Sequence, residues 1–357
     1  MIKKECFTAE WIEQVSSELH YNDKNLIEKV IRALSLLEML VKAGCPLVFK
    51  GGTALMLILG KSAHRLSIDI DLICPPGTNI EDYLKSFADF GFINLELVER
   101  KQRDDADIPK SHSKFFYQIA YRNDTDAQSY ILLDVLYEDI HYFRTQQIAI
   151  NCPFIRLEGK PLMVTVPSAE DILGDKLTAF APNTTGIPYY KNGRSCSMEI
   201  AKQLYDVGRL FENVSDLQIT KEAFRKIAVV ELSYRSFGTD IGQVFNDIRQ
   251  TALCISTRGK AGEGDFDLIQ DGIIRVKSFM YKQRYLIDHA IIDAARAAYL
   301  ATLIEKGINE IESYSNNPAD IKDMVIRPSL PNKLNKLRSN LPEAYYYWAK
   351  TSELLEV

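Results

Sequence analysis

The sequence predicts an α/β (α+β) unit with a mixed sheet, followed by a mostly helical C-terminal bundle, and three observations carry that expectation. Between Pro46 and Pro167, short apolar runs of strand length alternate with helix-like stretches. From Ser168 onward, apolar residues recur instead at spacings of three and four through successive segments. The change of period falls at Pro167, which sets an expected first domain at residues 1–167 and a second at 168–357.

Taken in order, residues 8–43 have a helical pattern, with Leu26, Ile27, Val30, Ile31, Leu34, Leu37 and Leu40 three and four apart, and Gly44 and Pro46 stop it. PLVFK reads as a strand, residues 54–59 as a helix, LSIDIDLI as a strand and IEDYLKSFADF as an amphipathic helix. INLELVER, SKFFYQIAYR and SYILLDVLYE follow as β-rich runs, and PLMVTV is a last strand. Ser168-x-x-Asp171 resembles a helix start, with acidic residues in the first turn. Helical periodicity then recurs near 169–181, 198–213, 217–236, 239–256, 265–283 and 285–306, with PNTTGIPYYKNGRS a loop between the first two.

The chain has 357 residues, 46% of them hydrophobic and 25% charged, which excludes the disordered and fibrous classes. A formal charge of −5 excludes a basic field over the whole surface and leaves room only for local basic contacts with nucleic acid. The six cysteines are scattered without a C-x-x-C pair and read as reduced thiols. No run approaches 18 apolar residues, and charges sit in the first segment where a signal peptide needs its apolar core. A cytoplasmic protein without a membrane partner is expected.

The sharpest signal is Asp69-Ile70-Asp71. In a strand these two carboxylates share one face, where they repel unless a cation lies between them, and a hard divalent cation is the natural partner. Three other D-x-D pairs serve as controls. Asp105/Asp107 and Asp124/Asp126 lie among polar residues and read as turns, while Asp265/Asp267 follows Gly-Glu-Gly, where a helix can start. Only Asp69 and Asp71 lie in an apolar strand pattern. Asp134, inside YILLDVLYED, is a third carboxylate in what reads as a central strand covered on both faces, and it either completes a metal site or pairs with a lysine or arginine. Upstream, Gly51-Gly52-Thr53 follows a strand and opens a helix, a turn whose backbone can approach a phosphate. Gly60-Lys61-Ser62 is not a P-loop end, since the required glycine five positions earlier is Leu55.

KGGTAL followed by R-x-S-x-D-I-D-L, then EDILGDKLTAF and KQLYDVGRL, resembles the AbiEii/AbiGii toxin family within the DNA polymerase β-like nucleotidyltransferase superfamily, over roughly residues 50–210. The resemblance implies a polymerase β-type mixed sheet with flanking helices, and a magnesium-dependent transfer of NMP from an NTP, with manganese the alternative ion. It assigns Gly51, Gly52 and Thr53 to the triphosphate, Asp69, Asp71 and Asp134 to the metal, and Lys176 and Asp206 to the catalytic set, with Lys176 also expected to neutralise charge on the triphosphate. Arg65 is a weaker candidate for a phosphate contact, and Ser67 for orienting an aspartate. Asp175 and Gln203 depart from residues common in the family. Read without the resemblance, Lys176 is as readily an ordinary solvated lysine as a functional one, and Asp206 is equally a structural partner of Arg209.

The resemblance also implies an RNA or tRNA acceptor, an antitoxin encoded alongside, and a role as toxin of a type IV-like toxin–antitoxin or phage-defence (abortive infection) system. Alternatives are modification of a small molecule of the aminoglycoside kind, modification of a protein hydroxyl, or nucleotide binding without turnover. An RNA acceptor needs basic residues, for which Lys191, Arg194, Lys202 and Arg209 are the candidates.

Overall fold

The computed structural model describes residues 1–98, 110–121, 127–214, 216–235, 238 and 240–356. The controls Asp105/Asp107 and Asp124/Asp126 lie outside the described residues. The chain divides into two compact units, one of residues Met1–Ser168 with Ser278–Arg284, the other of Ala169–Lys277 with Tyr285–Val357.

In the first unit, helix α1 (Ala9–Glu18) is capped by Thr8, whose hydroxyl accepts from Trp11 N, and α2 (Lys24–Lys42) by the carboxylate of Asp23, which accepts from Leu26 N. The single helical pattern expected over 8–43 is therefore two helices, because Asp23 satisfies the first-turn donors and starts α2 afresh. The apolar stripe of α2 is buried. Strand β1 (Val48–Lys50) leads directly into α3 (Gly51–Leu59), and β2 (Ile70–Cys74) follows. Residues 80–90 form two short 3₁₀ turns, Ile80–Tyr83 and Phe87–Phe90, in place of the expected helix. Then come β3 (Asn94–Val98), β4 (Lys110–Gln118) and β5 (Gln128–Tyr137), and the hairpin of β6 (Thr145–Ala149) with β7 (Met163–Pro167).

The main sheet has the order β1-β2-β5-β4-β3, with β2 and β5 parallel and the other pairs antiparallel. β5 is central, as Asp134 required. It is not covered on both faces: Ile131, Leu133 and Val135 are buried, while Leu132, Asp134 and Leu136 alternate with them on a half-open face.

The second unit is built from α4 (Ala169–Ala179), a small hairpin of β8 (Tyr190–Lys191) and β9 (Arg194–Ser195), α5 (Ser197–Phe211), α6 (Leu217–Tyr234), α7 (Ile241–Ser256), α8 (Phe266–Val276), α9 (Ile287–Lys306), α10 (Leu337–Asn340) and α11 (Pro342–Glu356). Asp216, Asp240 and Asp265 each cap the helix they precede. Asp265 of the third control pair is thus spent on Leu268 N, at 3.0 Å. All six cysteines are free thiols. Among the described residues, no helix is long and apolar enough to cross a membrane.

Candidate active site

The sheet register brings the acidic residues together. Lys50 pairs with Asp71 across β1 and β2, Asp71 with Asp134 across β2 and β5, and Asp134 with His112 across β5 and β4. Register partners share a sheet face, so Lys50, Asp71, Asp134 and His112 form one row across four strands. The opposite face is core: Ile70, Leu72, Leu133 and Val135 are all buried. Asp69 sits just before β2, which begins at Ile70 and not at residue 66, and it is exposed.

His112 is the residue that the sequence did not single out. Its Nδ1–H donates to Oδ1 of Asp134, and the ring is 8% exposed while the carboxylate keeps 31% of its surface. The partner of Asp134 is thus an imidazole of the neighbouring strand, joined to it by a hydrogen bond. An imidazole inside the alternating run KSHSKFFYQ was the available signal.

The glycine turn lies against this row. Gly51 has φ 79°, and a Cβ there would lie 2.1 Å from Oδ2 of Asp71. A Cβ on Gly52 would lie 2.7 Å from Oγ of Ser67 and 2.9 Å from Nη2 of Arg65. Only glycine lets the backbone pass so close to these side chains. Because α3 starts at Gly51, its first-turn N–H groups face outward from the helix end, and the N-cap, Lys50, provides no side-chain hydrogen bond to them. A helix terminus of this kind attracts anions.

Thr53, the third residue of the turn, ties it to the segment before β2. It is fully buried, and Oγ1 donates to the backbone carbonyl of Asp69 at 2.7 Å, pinning the approach to β2. Any contact of Thr53 with an anion is left to its backbone N–H. Arg65 is also buried, with Nη1 donating to Leu66 O at 3.0 Å, and Ser67 is half-buried beside Gly52.

Among the described residues, no three His, Cys, Asp or Glu side chains converge closely enough to enclose a metal ion. Asp71 and Asp134 are register neighbours, and Asp69 is the exposed residue two positions earlier. This is an all-oxygen donor set on an accessible face, the ligand class of magnesium and similar hard cations, so by chemistry the residues fit the group.

In the second unit, Lys176 of α4 lies against α5, where Nζ donates to Oε1 of Gln203 at 2.9 Å and sits 3.1 Å from Oδ2 of Asp206. Their side chains are 9% and 2% exposed, so Lys176 is no solvated lysine. Gln203, the departure from the family pattern, is an acceptor for that ammonium. Arg209 is instead paired with Glu212 at 2.9 Å and Asp293 at 3.5 Å, which commits it to structure and removes it from the candidate basic contacts. Lys191 and Arg194 lie on the β8–β9 hairpin, and Lys202 on α5.

The family model described as nucleotidyl transferase AbiEii toxin, type IV toxin–antitoxin system, matches residues 34–319. No curated protein matches the chain significantly. Among solved structures, MenT4, the nucleotidyltransferase toxin Rv2826c from Mycobacterium tuberculosis H37Rv, is similar at 12% identity and a TM-score of 0.44, over 82% of this chain and 89% of that one. JHP933 from Helicobacter pylori is similar at 17% identity and a TM-score of 0.42, over 79% and 94%. A putative nucleotidyltransferase from H. pylori is similar at 17% and 0.40, over the same shares.

Proposed function

The chain belongs to the AbiEii family of nucleotidyltransferase toxins of type IV toxin–antitoxin systems, and from that premise we propose that it transfers NMP from an NTP to a hydroxyl of RNA, including the acceptor end of tRNA. The observation that carries the reading is the register row: Asp71 beside Asp134, with the Gly51 backbone against Asp71 and His112 bonded to Asp134. The α3 terminus binds the triphosphate through its N–H groups, and the glycine turn brings that terminus onto the acidic strand. The acceptor oxygen attacks the α-phosphorus, the new P–O bond forms as the α–β bridging P–O bond breaks, and pyrophosphate leaves. Asp134, oriented by His112, receives the hydroxyl proton. A divalent cation, magnesium or manganese, held by Asp69, Asp71 and Asp134, would neutralise phosphate charge during the displacement. Lys176 and Asp206 are a buried ion pair within the second unit, and none of these steps uses them. Growth inhibition relieved by a companion antitoxin, and a role in phage defence, follow as the biological consequence of this reading.

The test is incubation of the full chain with each α-labelled NTP and total RNA. Asp69→Asn and Asp71→Asn are each expected to lower incorporation by about 10²- to 10³-fold, with an unchanged circular dichroism spectrum. Full incorporation by either variant would sink the proposal.

A further inference from the structure

Within the second unit, a cavity of about 410 Å³ opens among α7, α9 and α10, a size in the range of small-ligand sites, roughly 300–1,000 Å³. Ile291, Leu337 and Leu341 contribute apolar lining. Four cations reach it, Arg258, Lys260, Lys333 and Lys336, against one carboxylate, Asp288. That carboxylate is taken up by Arg258 at 2.8 Å, and Lys333 donates to the carbonyl of Lys260 at 2.6 Å. Among the described residues, Lys260 and Lys336 form no ion pair with a carboxylate. This concentration of positive charge stands out in a chain whose formal charge is −5, because like charges gathered in one concavity repel unless an anion joins them.

The backbone is shaped to make the gathering. Arg258 adopts the left-handed region at φ 53° and Gly259 follows at φ 74°. Arginine held there is strained, and strain of this kind clusters at ligand sites. The turn reverses the chain after α7, whose last residue is Ser256, and lines the cavity with Arg258 and Lys260. Lys333 and Lys336 come from beyond residue 319, where the family match ends, so half of the cationic lining lies outside that match.

We propose that this pocket binds a nucleotide unit of a single-stranded RNA, the apolar lining taking the base and Lys260 and Lys336 the adjoining phosphates. The assignment to RNA rests on the acceptor named above. A free NTP shares the chemistry of base and phosphate, and the experiment separates the two sources.

Binding of a fluorescent single-stranded RNA to the full chain is followed by anisotropy across a salt series, without nucleotide or metal, alongside binding of a fluorescent NTP analogue. Lys260→Gln/Lys336→Gln alters two exposed side chains, and its fold is checked by circular dichroism. The double variant is expected to weaken RNA binding by about tenfold and to lower the slope of log affinity against log salt by about 1.4, two phosphates at about 0.7 each. Unchanged RNA affinity and slope overturn the proposal, and so does a loss confined to the NTP analogue. Asp71→Asn keeps the pocket intact. Full incorporation by Asp71→Asn sinks the proposed function alone, whereas loss of incorporation by Asp71→Asn together with unchanged RNA affinity in the double variant sinks the pocket proposal alone.

Discussion

Gly51 is excluded from carrying a side chain twice over. Its φ of 79° costs an L-residue about 1–2 kcal/mol, and a Cβ would fall 2.1 Å from Oδ2 of Asp71. The collision is resolved only by moving the carboxylate out of the row. Gly51→Ala is therefore expected to lose stability by at least about 1 kcal/mol in a urea titration and to lose nucleotide incorporation to a degree comparable with Asp71→Asn. Unaltered midpoint and activity would show that the turn does not depend on Asp71. At this scale the sequence was legible where a signal is local. The glycine pair and the D-x-D spacing can be read from adjacent letters, and so can the cap at Asp265. His112 and Gln203 could not be read that way, because their roles come from strand register and helix crossing. Thr53 was legible as part of the turn but not as the anchor of Asp69, a contact across 16 residues.

Helix crossings set what the second unit tolerates. Gly174 in α4 lies where a Cβ would sit 2.8 Å from both Phe224 N and Thr220 O of α6, so the two backbones are in near contact. Alanine is favoured over glycine in a helix by about 1 kcal/mol, yet forcing α4 away from α6 costs about 1–3 kcal/mol. The packing cost wins because backbone, unlike a flexible side-chain end, cannot step aside. Gly174→Ala is expected to lower the urea midpoint, and a raised midpoint would mean that the crossing relaxes freely. The mixed sheet and the helical second half were legible as elements, since their apolar periods are long and regular. IEDYLKSFADF misled because its helical spacing is real but its backbone closes tighter turns, with Leu84 N donating to Glu81 O at 3.2 Å, Phe87 N to Leu84 O at 3.2 Å and Asp89 N to Ser86 O at 3.0 Å. Arg32 donates to Gly91 O at 3.2 Å and Ser35 to Phe90 O at 3.3 Å, while Gly91 turns left-handed at φ 81°. The β6 strand TQQIA was missed because it is polar without alternation and owes its conformation to β7.

Whole-chain organisation was the least legible level. Residues 265–283 read as one helical segment, yet α8 ends at Val276 and Ser278–Arg284 belongs to the first unit. There Leu66 N donates to Phe279 O at 2.8 Å, Tyr281 donates its hydroxyl to Ala63 O, and its ring meets Phe154 edge-on at 5.3 Å. Contacts across more than 200 residues leave no local period. The pH dependence of stability likewise involves a group that no motif marks. Asp293 of α9 is buried, and burial pushes its carboxyl up to about 6 from the ordinary 3.8, although Arg209 and Arg296 stand 3.5 and 3.3 Å away and oppose the rise. Between those two values the folded chain holds a proton that the unfolded chain has released, so the contribution is full below about pH 3.8 and is lost as pH rises through 6. A shift of this size corresponds to at most about 3 kcal/mol. A carboxamide cannot titrate, so in Asp293→Asn this loss disappears. Urea titrations of both proteins from pH 4 to 8 should show the stability difference moving toward the variant by up to that amount, with most of the change between pH 4 and 6.5 and a plateau above. A constant offset across the range would mean that Arg209 and Arg296 keep the carboxylate ionised in the fold, and that their attraction outweighs the cost of burying it.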